Sequence, residues 1–155
     1  MRVLFIVALL ILSLEARNYT YLIDEYDKVI DLEAKIISKI AKDIVKDKKV
    51  KLYIPHLKRL DEKVYSSKVD LVHNCEEANF IFIKYKVNLK KCEGEKNKIF
   101  FTNNYKKLLK NRKFLGAFFW SKSRPNIVLI KKRLNKKRIK LPKEYNQFIE
   151  DYDEK

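Results

Sequence analysis

The sequence predicts one α/β domain, a helix–sheet–helix sandwich with a mixed sheet of about five to six strands, a C-terminal antiparallel pair and terminal helices. Two observations predict this class. Residues 24–47 place apolar side chains every three or four positions, which is the pattern of a helix with one buried face. Residues 80–83, 115–120 and 127–130 are apolar without alternation, so these strands need cover on both faces.

The first half of the chain alternates helices and strands. The helix over residues 24–47 starts with acidic residues, which suit a helix N-terminus. Residues 49–55 alternate as a strand, and Pro55 ends it before a second helix over residues 56–65. The predicted apolar face of the first helix consists of Val29, Leu32, Ile36, Ile40 and Ile44, flanked by Ile30, Ile37 and Val45. That of the second helix consists of Leu57, Leu60 and Val64.

The second half is predicted to hold most of the strands. Asn103 is placed to cap a helix over residues 104–112, and a short helix follows over residues 133–138. A final helix starts at Pro142, with an inner face of Tyr145, Phe148, Ile149 and Tyr152. The predicted strands of this half cover residues 68–74, 79–87, 98–103, 115–120 and 126–130.

The stretch LGAFFWSKSRPNIVLIKKRL, residues 115–134, joins two apolar runs through the turn residues SKSRP. In a strand, Phe118 and Trp120 point to one side and Ala117 and Phe119 to the other. These aromatic side chains are therefore predicted to be core rather than a stacking platform for bases. Trp120, which lies beside the turn, is predicted to be partly exposed.

Residues 1–16, MRVLFIVALLILSLEA, have the layout of a secretory signal peptide. Arg2 is a positive start, the following run is apolar but short for a membrane span, and Ala16 offers a small residue for cleavage. We expect cleavage near Ala16, a single domain over residues 17–155, and a periplasmic or secreted location. The alternative is an uncleaved N-terminal anchor.

Cys75 and Cys92 are the only cysteines. An even number of cysteines in an exported chain favours a disulfide, and the alternative is a pair of free buried thiols. A zinc site is not predicted, because two cysteines and two distant histidines do not make a ligand set.

The net charge is +16, and its distribution is uneven. Between Lys96 and Lys143 the chain has seventeen Lys or Arg and no Asp or Glu. Such a span favours anionic partners, whereas the alternative is the lysine-rich composition of an AT-rich genome without selection for binding. The candidate surface for an anion or a partner consists of Trp120, Lys122, Arg124, Lys131, Lys132, Arg133, Lys136, Lys137 and Arg138.

No catalytic arrangement is evident in the sequence. Gly94 and Gly116 are the only glycines, so there is no phosphate-binding glycine loop and no dinucleotide fingerprint. His56 and His73 follow different strands and are predicted to be unrelated surface residues. No nucleophile, base and oxyanion hole can be assembled, so the sequence predicts neither an enzyme nor a cofactor.

The opening helix LEAKIISKIAKDIVKD, the strand KVKLYI and the cysteine-containing turn before CEEANFIFI resemble small periplasmic proteins of the YfiR-like group. The closing pattern GAFFWSKSRPNIVLI, followed by LPKEYNQFIEDY, is similar to that group's last strands and helix. The resemblance spans most of residues 17–155. It implies a non-enzymatic α/β domain that restrains a membrane-embedded signalling protein, often a diguanylate cyclase, by contacting its periplasmic part.

Two functional hypotheses follow from these observations. The first is an exported sensory or regulatory module that binds a protein partner or a small ligand, and it predicts an exposed apolar or aromatic patch. The second is a cationic protein that binds a phospholipid surface or nucleic acid, and it predicts binding that weakens steeply with salt.

Overall fold

A computed structural model describes residues 26–46, 49–88, 92 and 97–152. Within these residues the chain forms one seven-stranded mixed sheet. The strands are β1 (Lys51–Tyr53), β2 (Asp70–Leu71), β3 (Phe80–Ile83), β4 (Ile99–Thr102), β5 (Phe114–Ser121), β6 (Arg124–Ile130) and β7 (Ile149–Glu150). The predicted α/β class, the mixed sheet and the C-terminal antiparallel pair are confirmed, and the sheet has more strands than predicted.

The strand order is β2-β1-β3-β4-β5-β6-β7. Strands β1 to β5 are mutually parallel, β6 is antiparallel to β5, and β7 is parallel to β6. We call the edge at which β1 to β5 end the carboxyl edge, and the edge at which they begin the amino edge. In sheets of this kind, binding sites commonly lie at the carboxyl edge, at the point where the strand order reverses. In this sheet the order reverses between β1 and β3.

In the described part of the chain, α-helices and a longer 3-10 helix accompany the sheet. They are α1 (residues 26–45), α2 (Arg59–Ser66), α3 (Tyr105–Lys110), α4 (Lys131–Lys136) and the 3-10 helix Lys143–Phe148. Buried residues of α1, α2, α4 and the 3-10 helix join one core cluster, whereas those of α3 and the two cysteines join the other. Each face of the sheet therefore has its own hydrophobic core, as the sandwich requires.

Side chains alternate between the two cores along β5 and β6. Phe118 and Trp120 pack on the α1 side and Ala117 and Phe119 on the α3 side, as predicted. The register between β4 and β5 shifts next to Gly116, which pairs with Phe101. This irregularity places an extra residue in β5 and bends the strand at the centre of the sheet.

Cys75 and Cys92 form a disulfide, and both are buried against the α3-side core. The bridge closes a loop with a sequence separation of 17 residues. Lys98 is buried beside it, and its ammonium donates to the carbonyl oxygens of Cys75 at 2.5 Å and Glu76 at 3.0 Å. The predicted alternative of two free thiols is therefore wrong.

The helices bury only part of the faces predicted for them. In α1 the predicted Ile40 and Ile44 are buried together with the flanking Ile30 and Ile37, whereas Val29 and Leu32 are exposed. The helix is thus rotated so that Ala34 and Ala41 can approach the sheet closely. In α2 the buried residues are Asp61 and Tyr65, and Leu60 is exposed.

Three element boundaries also differ. Asn104, rather than Asn103, caps α3, because its side-chain oxygen accepts from the Lys107 backbone amide at 2.9 Å. Helix α4 starts at Lys131, directly after β6. The predicted final helix is a 3-10 turn that ends at Phe148, and Ile149 begins β7 instead.

The predicted signal peptide, residues 1–16, lies outside the described residues. Among the residues that the structure describes, no helix is long and apolar enough to cross a membrane.

Candidate partner-binding surface at the carboxyl edge

The β5–β6 hairpin projects beyond the neighbouring strand at the carboxyl edge. The last residue of β4, Thr102, pairs with Ala117, whereas the hairpin continues to the pair Ser121 and Arg124. Trp120 is half-buried, with its ring edge-on to Phe118 at 5.7 Å between centroids. We call Trp120, Lys122 and Arg124 the hairpin tip.

The turn of this hairpin has an uncommon backbone. Lys122 and Ser123 both have positive φ angles, 48° and 59°, and neither is glycine. Two successive positive φ angles give the two-residue turn that matches the twist of β-strands, but Asn-Gly is the usual sequence there. Lys122 and Arg124 are exposed, so the turn presents two cations next to the indole of Trp120.

The other predicted cations lie at the opposite edge. Because β6 runs from the hairpin tip to the amino edge over seven residues, α4 begins roughly 20 Å away. The predicted surface is thus divided between two ends of the sheet. The exposed cations of the α4 end are Lys131, Lys132, Lys136, Lys137 and Arg138.

Arg133 does not belong to an exposed basic face. It is buried, and its guanidinium donates to the carbonyl oxygens of Leu108 at 2.9 Å, Asn111 at 3.2 Å and Phe114 at 2.5 Å. These are carbonyls at and after the C-terminal end of α3, which lack helical partners of their own. Arg133 therefore joins α3, β5 and α4, and its predicted place in an exposed anion-binding or partner-binding surface is wrong.

A set of exposed apolar side chains gathers at the carboxyl edge. Among the described residues, the exposed large hydrophobic side chains are Tyr26, Val29, Leu32, Leu60 and Tyr85. We call these five residues the carboxyl-edge patch. Their positions are in the first two turns of α1, in the first turn of α2 and just after β3.

Two contacts place the start of α1 at this edge. The Tyr26 hydroxyl donates to Asp61 in α2 at 2.8 Å, and α2 follows the carboxyl end of β1. The Lys84 ammonium, directly after β3, donates to Glu33 at 2.6 Å. The first two turns of α1 therefore lie beside the ends of β1 and β3.

One flank of α1 is covered along only part of its length. Lys39 contacts Glu144 at 2.9 Å, and Asp43 accepts from the Tyr145 hydroxyl at 2.5 Å, so the 3-10 helix covers this flank near the C-terminal end of α1. Leu32 lies on the same flank, seven residues before Lys39, which is two helical turns. Leu32 and Val29 continue the flank toward the carboxyl edge, and there both are exposed.

Beneath the patch lies a buried network of two acids, one lysine and Tyr65, and the exposed Tyr26 joins it through its hydroxyl. Glu33 and Asp61 are 4% and 2% exposed. Lys84 bridges them at 2.6 and 3.9 Å, and the Tyr65 hydroxyl donates to Glu33 at 2.8 Å. Burial, and then the Asp61 hydrogen bond, raise the pKa of Tyr26 to about 12. Burial, and then the charge of the nearby Glu33 carboxylate, raise the pKa of Tyr65 more than that of Tyr26.

The sequence did not single out this network, although a signal for it exists. Glu33 lies between Ile30 and Ile37 in helical spacing, which puts a charge inside an apolar face. A buried carboxylate requires a partner, and Lys84 at the end of an apolar strand is one. Glu33 and Lys84 are far apart in sequence, so their pairing cannot be predicted without knowing the fold.

His56 and His73 are closer in space than predicted. Both line one pocket of about 220 Å³ at the carboxyl ends of β1 and β2, together with Glu62. His73 Nδ1 lies 4.0 Å from a Glu62 carboxylate oxygen, and both histidines are exposed. Within the part of the chain that the structure describes, no group of three acidic, histidine or cysteine side chains is arranged to hold a metal ion.

Comparison of the chain with protein-family models, with curated proteins and with solved structures finds no match.

Proposed function

We propose that this protein is an exported, non-catalytic regulatory module that binds a protein partner through the carboxyl-edge patch and the hairpin tip. The observation that carries the proposal is the position of the exposed apolar side chains of the described residues. All five lie on α1, α2 and the end of β3 at one edge of the sheet. Exposed apolar side chains concentrated at one end of a domain are typical of a protein-binding site.

The hairpin tip supports the same proposal. Tryptophan and arginine are over-represented among the residues that dominate binding energy at interfaces, and Trp120 and Arg124 lie four residues apart across a tight turn. The positive φ angles of Lys122 and Ser123 are held without glycine, and such strain is concentrated at functional positions. The exposed cations favour a partner with an acidic rim around an apolar centre.

The Cys75–Cys92 disulfide supports export, since such bridges persist in oxidising compartments. The resemblance to YfiR-like proteins suggests the class of partner, a membrane-embedded signalling protein with an exported part. The carboxyl-edge patch then acts by holding that part in one conformation.

The test is crosslinking in cells of the source organism. A photoreactive residue is introduced at Leu32 or at Tyr85, and a matched one is introduced at the exposed Lys106 of α3, on the other face. We expect one membrane protein to be crosslinked from the first two positions and not from Lys106. The Val29→Asp/Leu32→Asp variant should abolish the crosslink from Tyr85. Equal crosslinking from all three positions, or from none, would refute the proposal.

A specific observation favours anion binding at the amino edge as a second function. Arg133 joins α4 to the C-terminal end of α3, so the exposed cations Lys110, Lys132 and Lys136 all lie at the amino edge. Such a concentration of cations attracts phospholipid headgroups or nucleic acid.

This second function is tested with phosphatidylglycerol vesicles and with duplex DNA at low and at high salt. We expect binding at low salt that the Lys110→Glu/Lys132→Glu/Lys136→Glu variant loses. The Lys122→Glu/Arg124→Glu variant at the opposite edge is the matched control and should bind as before. Absence of binding at low ionic strength would exclude this function.

A further inference from the structure

A pocket of about 400 Å³ opens at the amino edge, far from the carboxyl-edge patch. This volume falls within the range of small-molecule sites, about 300 to 1,000 Å³. The pocket lies between the C-terminal end of α1, the starts of β3 and β4, and the segment after α4. Its apolar lining consists of Ile44, Val45, Ile99 and Ile139.

Two lysines line the same pocket. Lys136 and Lys137 form its polar lining together with Asn79 and Asn97. The Lys137 ammonium donates to the Lys98 carbonyl oxygen at 3.1 Å, which draws it toward the protein although much of the residue remains exposed. Burial, and then the charge of Lys136, lower the pKa of Lys137. Burial and the neighbouring charge both disfavour the protonated form of Lys137, and an anion bound in the pocket would offset both effects.

The end of α4 holds this arrangement in place. Arg138 has a φ of 55°, and the amides of Arg138 and Ile139 donate to the carbonyl oxygens of Asn135 at 2.9 Å and Leu134 at 3.0 Å. This is the Schellman pattern of helix termination. It fixes Ile139 in the apolar wall two residues after Lys137, so the apolar and cationic parts of the pocket are pre-formed relative to each other.

We infer that this pocket binds a small amphiphile with one anionic head and a short alkyl chain. The alkyl chain lies against the four apolar residues and the head against the ammonium groups of Lys136 and Lys137. Both parts are needed, because apolar contact supplies affinity and charge-assisted hydrogen bonds fix the head. The inference is independent of the proposed partner surface, which lies at the opposite edge.

The experiment is calorimetric titration of the disulfide-bonded protein with sodium decanoate and with decyl phosphate, each below its micelle concentration. Acetate, inorganic phosphate and decanol are the matched probes. We expect decanoate or decyl phosphate to bind at least about tenfold more tightly than its head group alone and than decanol. The better of the two identifies the head as carboxylate or phosphate.

The Lys136→Gln/Lys137→Gln variant should weaken binding by about tenfold, whereas Lys131→Gln/Lys140→Gln should leave it unchanged. Val29→Asp/Leu32→Asp should also bind as before, since it alters only the carboxyl-edge patch. Binding that survives loss of both pocket lysines, or that disappears in the Val29→Asp/Leu32→Asp variant, would overturn the inference. Equal affinity for decanol and decanoate would do so as well.

Discussion

Gly116 in β5 pairs with Phe101 of β4 on one side and with Leu129 of β6 on the other. A Cβ atom at this position would be 2.6 Å from the Phe101 ring, 2.6 Å from the Val128 carbonyl oxygen and 3.0 Å from Leu129. The carbonyl belongs to the backbone of the neighbouring strand and cannot move without disturbing the sheet. We therefore expect Gly116→Ala to lower the free energy of unfolding by about 2 to 3 kcal/mol, as overpacking of a core does.

Urea denaturation of the purified protein measures this change. In a double-mutant cycle, Phe101→Leu removes one of the crowding contacts, so the cost of Gly116→Ala should be smaller in the Phe101→Leu background. If Gly116→Ala lowers the free energy of unfolding equally in both backgrounds, the Phe101 ring moves aside and its contact with the new methyl group does not cause the destabilisation.

The sequence alone predicted where some of these side chains pack, but not where others do. The sides of β5 on which Ala117, Phe118 and Trp120 pack follow from strand alternation, which has only two outcomes. The burial of Arg133 could not be predicted in that way, because an arginine in a run of lysines has the same pattern whether it is solvated or bound to carbonyls. Its role depends on where α3 ends relative to α4.

At the scale of elements, the β5–β6 hairpin combines a stable register with an unfavourable turn sequence. Lys122 and Ser123 adopt positive φ angles that Asn and Gly adopt at lower cost. The variant Lys122→Asn/Ser123→Gly should raise the free energy of unfolding by about 1 kcal/mol, because the strain at the turn is relieved.

Thermal denaturation measures the stability of this variant, and the crosslinking assay described above measures its partner binding. If the turn is retained for its cations, the variant should be more stable yet give less crosslinked product. A variant that is more stable and crosslinks as well as the native protein would show that Lys122 does not contribute to binding.

The existence of most elements could be predicted, whereas the faces of the helices could not. Val29, Leu32 and Ile36 form an apolar stripe as regular as that of Ile30 and Ile37, so periodicity alone permits either stripe to face the sheet. The sheet selects the stripe that contains Ala34 and Ala41, and the other is left exposed where the 3-10 helix does not reach. The α1 part of the carboxyl-edge patch is thus visible in the sequence only as a surplus of apolar residues on that helix.

At the scale of the whole molecule, the two edges of the sheet differ in chemistry. The carboxyl edge has exposed apolar and aromatic side chains over a buried ionic network, whereas the amino edge has the cations of α3 and α4 and the pocket. The sequence predicted the cationic span but joined the hairpin tip to α4, because residues close in sequence are separated by the full length of β6. The predicted strand over residues 126–130 already implied this separation, since an extended segment carries the chain across the sheet.

The buried network also makes the stability of the whole fold sensitive to alkaline pH. An unfolded tyrosine ionises near pH 10. In the folded protein the pKa of Tyr26 is about 12, and burial together with Glu33 holds the pKa of Tyr65 well above its usual value. Below pH 10 both states keep these protons, so the contribution to stability is complete. Above pH 10 the unfolded state loses them first, so the free energy of unfolding falls as pH rises toward 12.

Urea denaturation midpoints at pH 8 and pH 11 measure this loss in the native protein and in Tyr65→Phe. At pH 8 the variant should be less stable, because Glu33 loses a hydrogen bond at a buried position. Its stability should then decline less between the two pH values, since one of the raised tyrosines has been removed. An equally steep decline in both proteins would mean that other groups, not the tyrosine bound to Glu33, govern the alkaline transition.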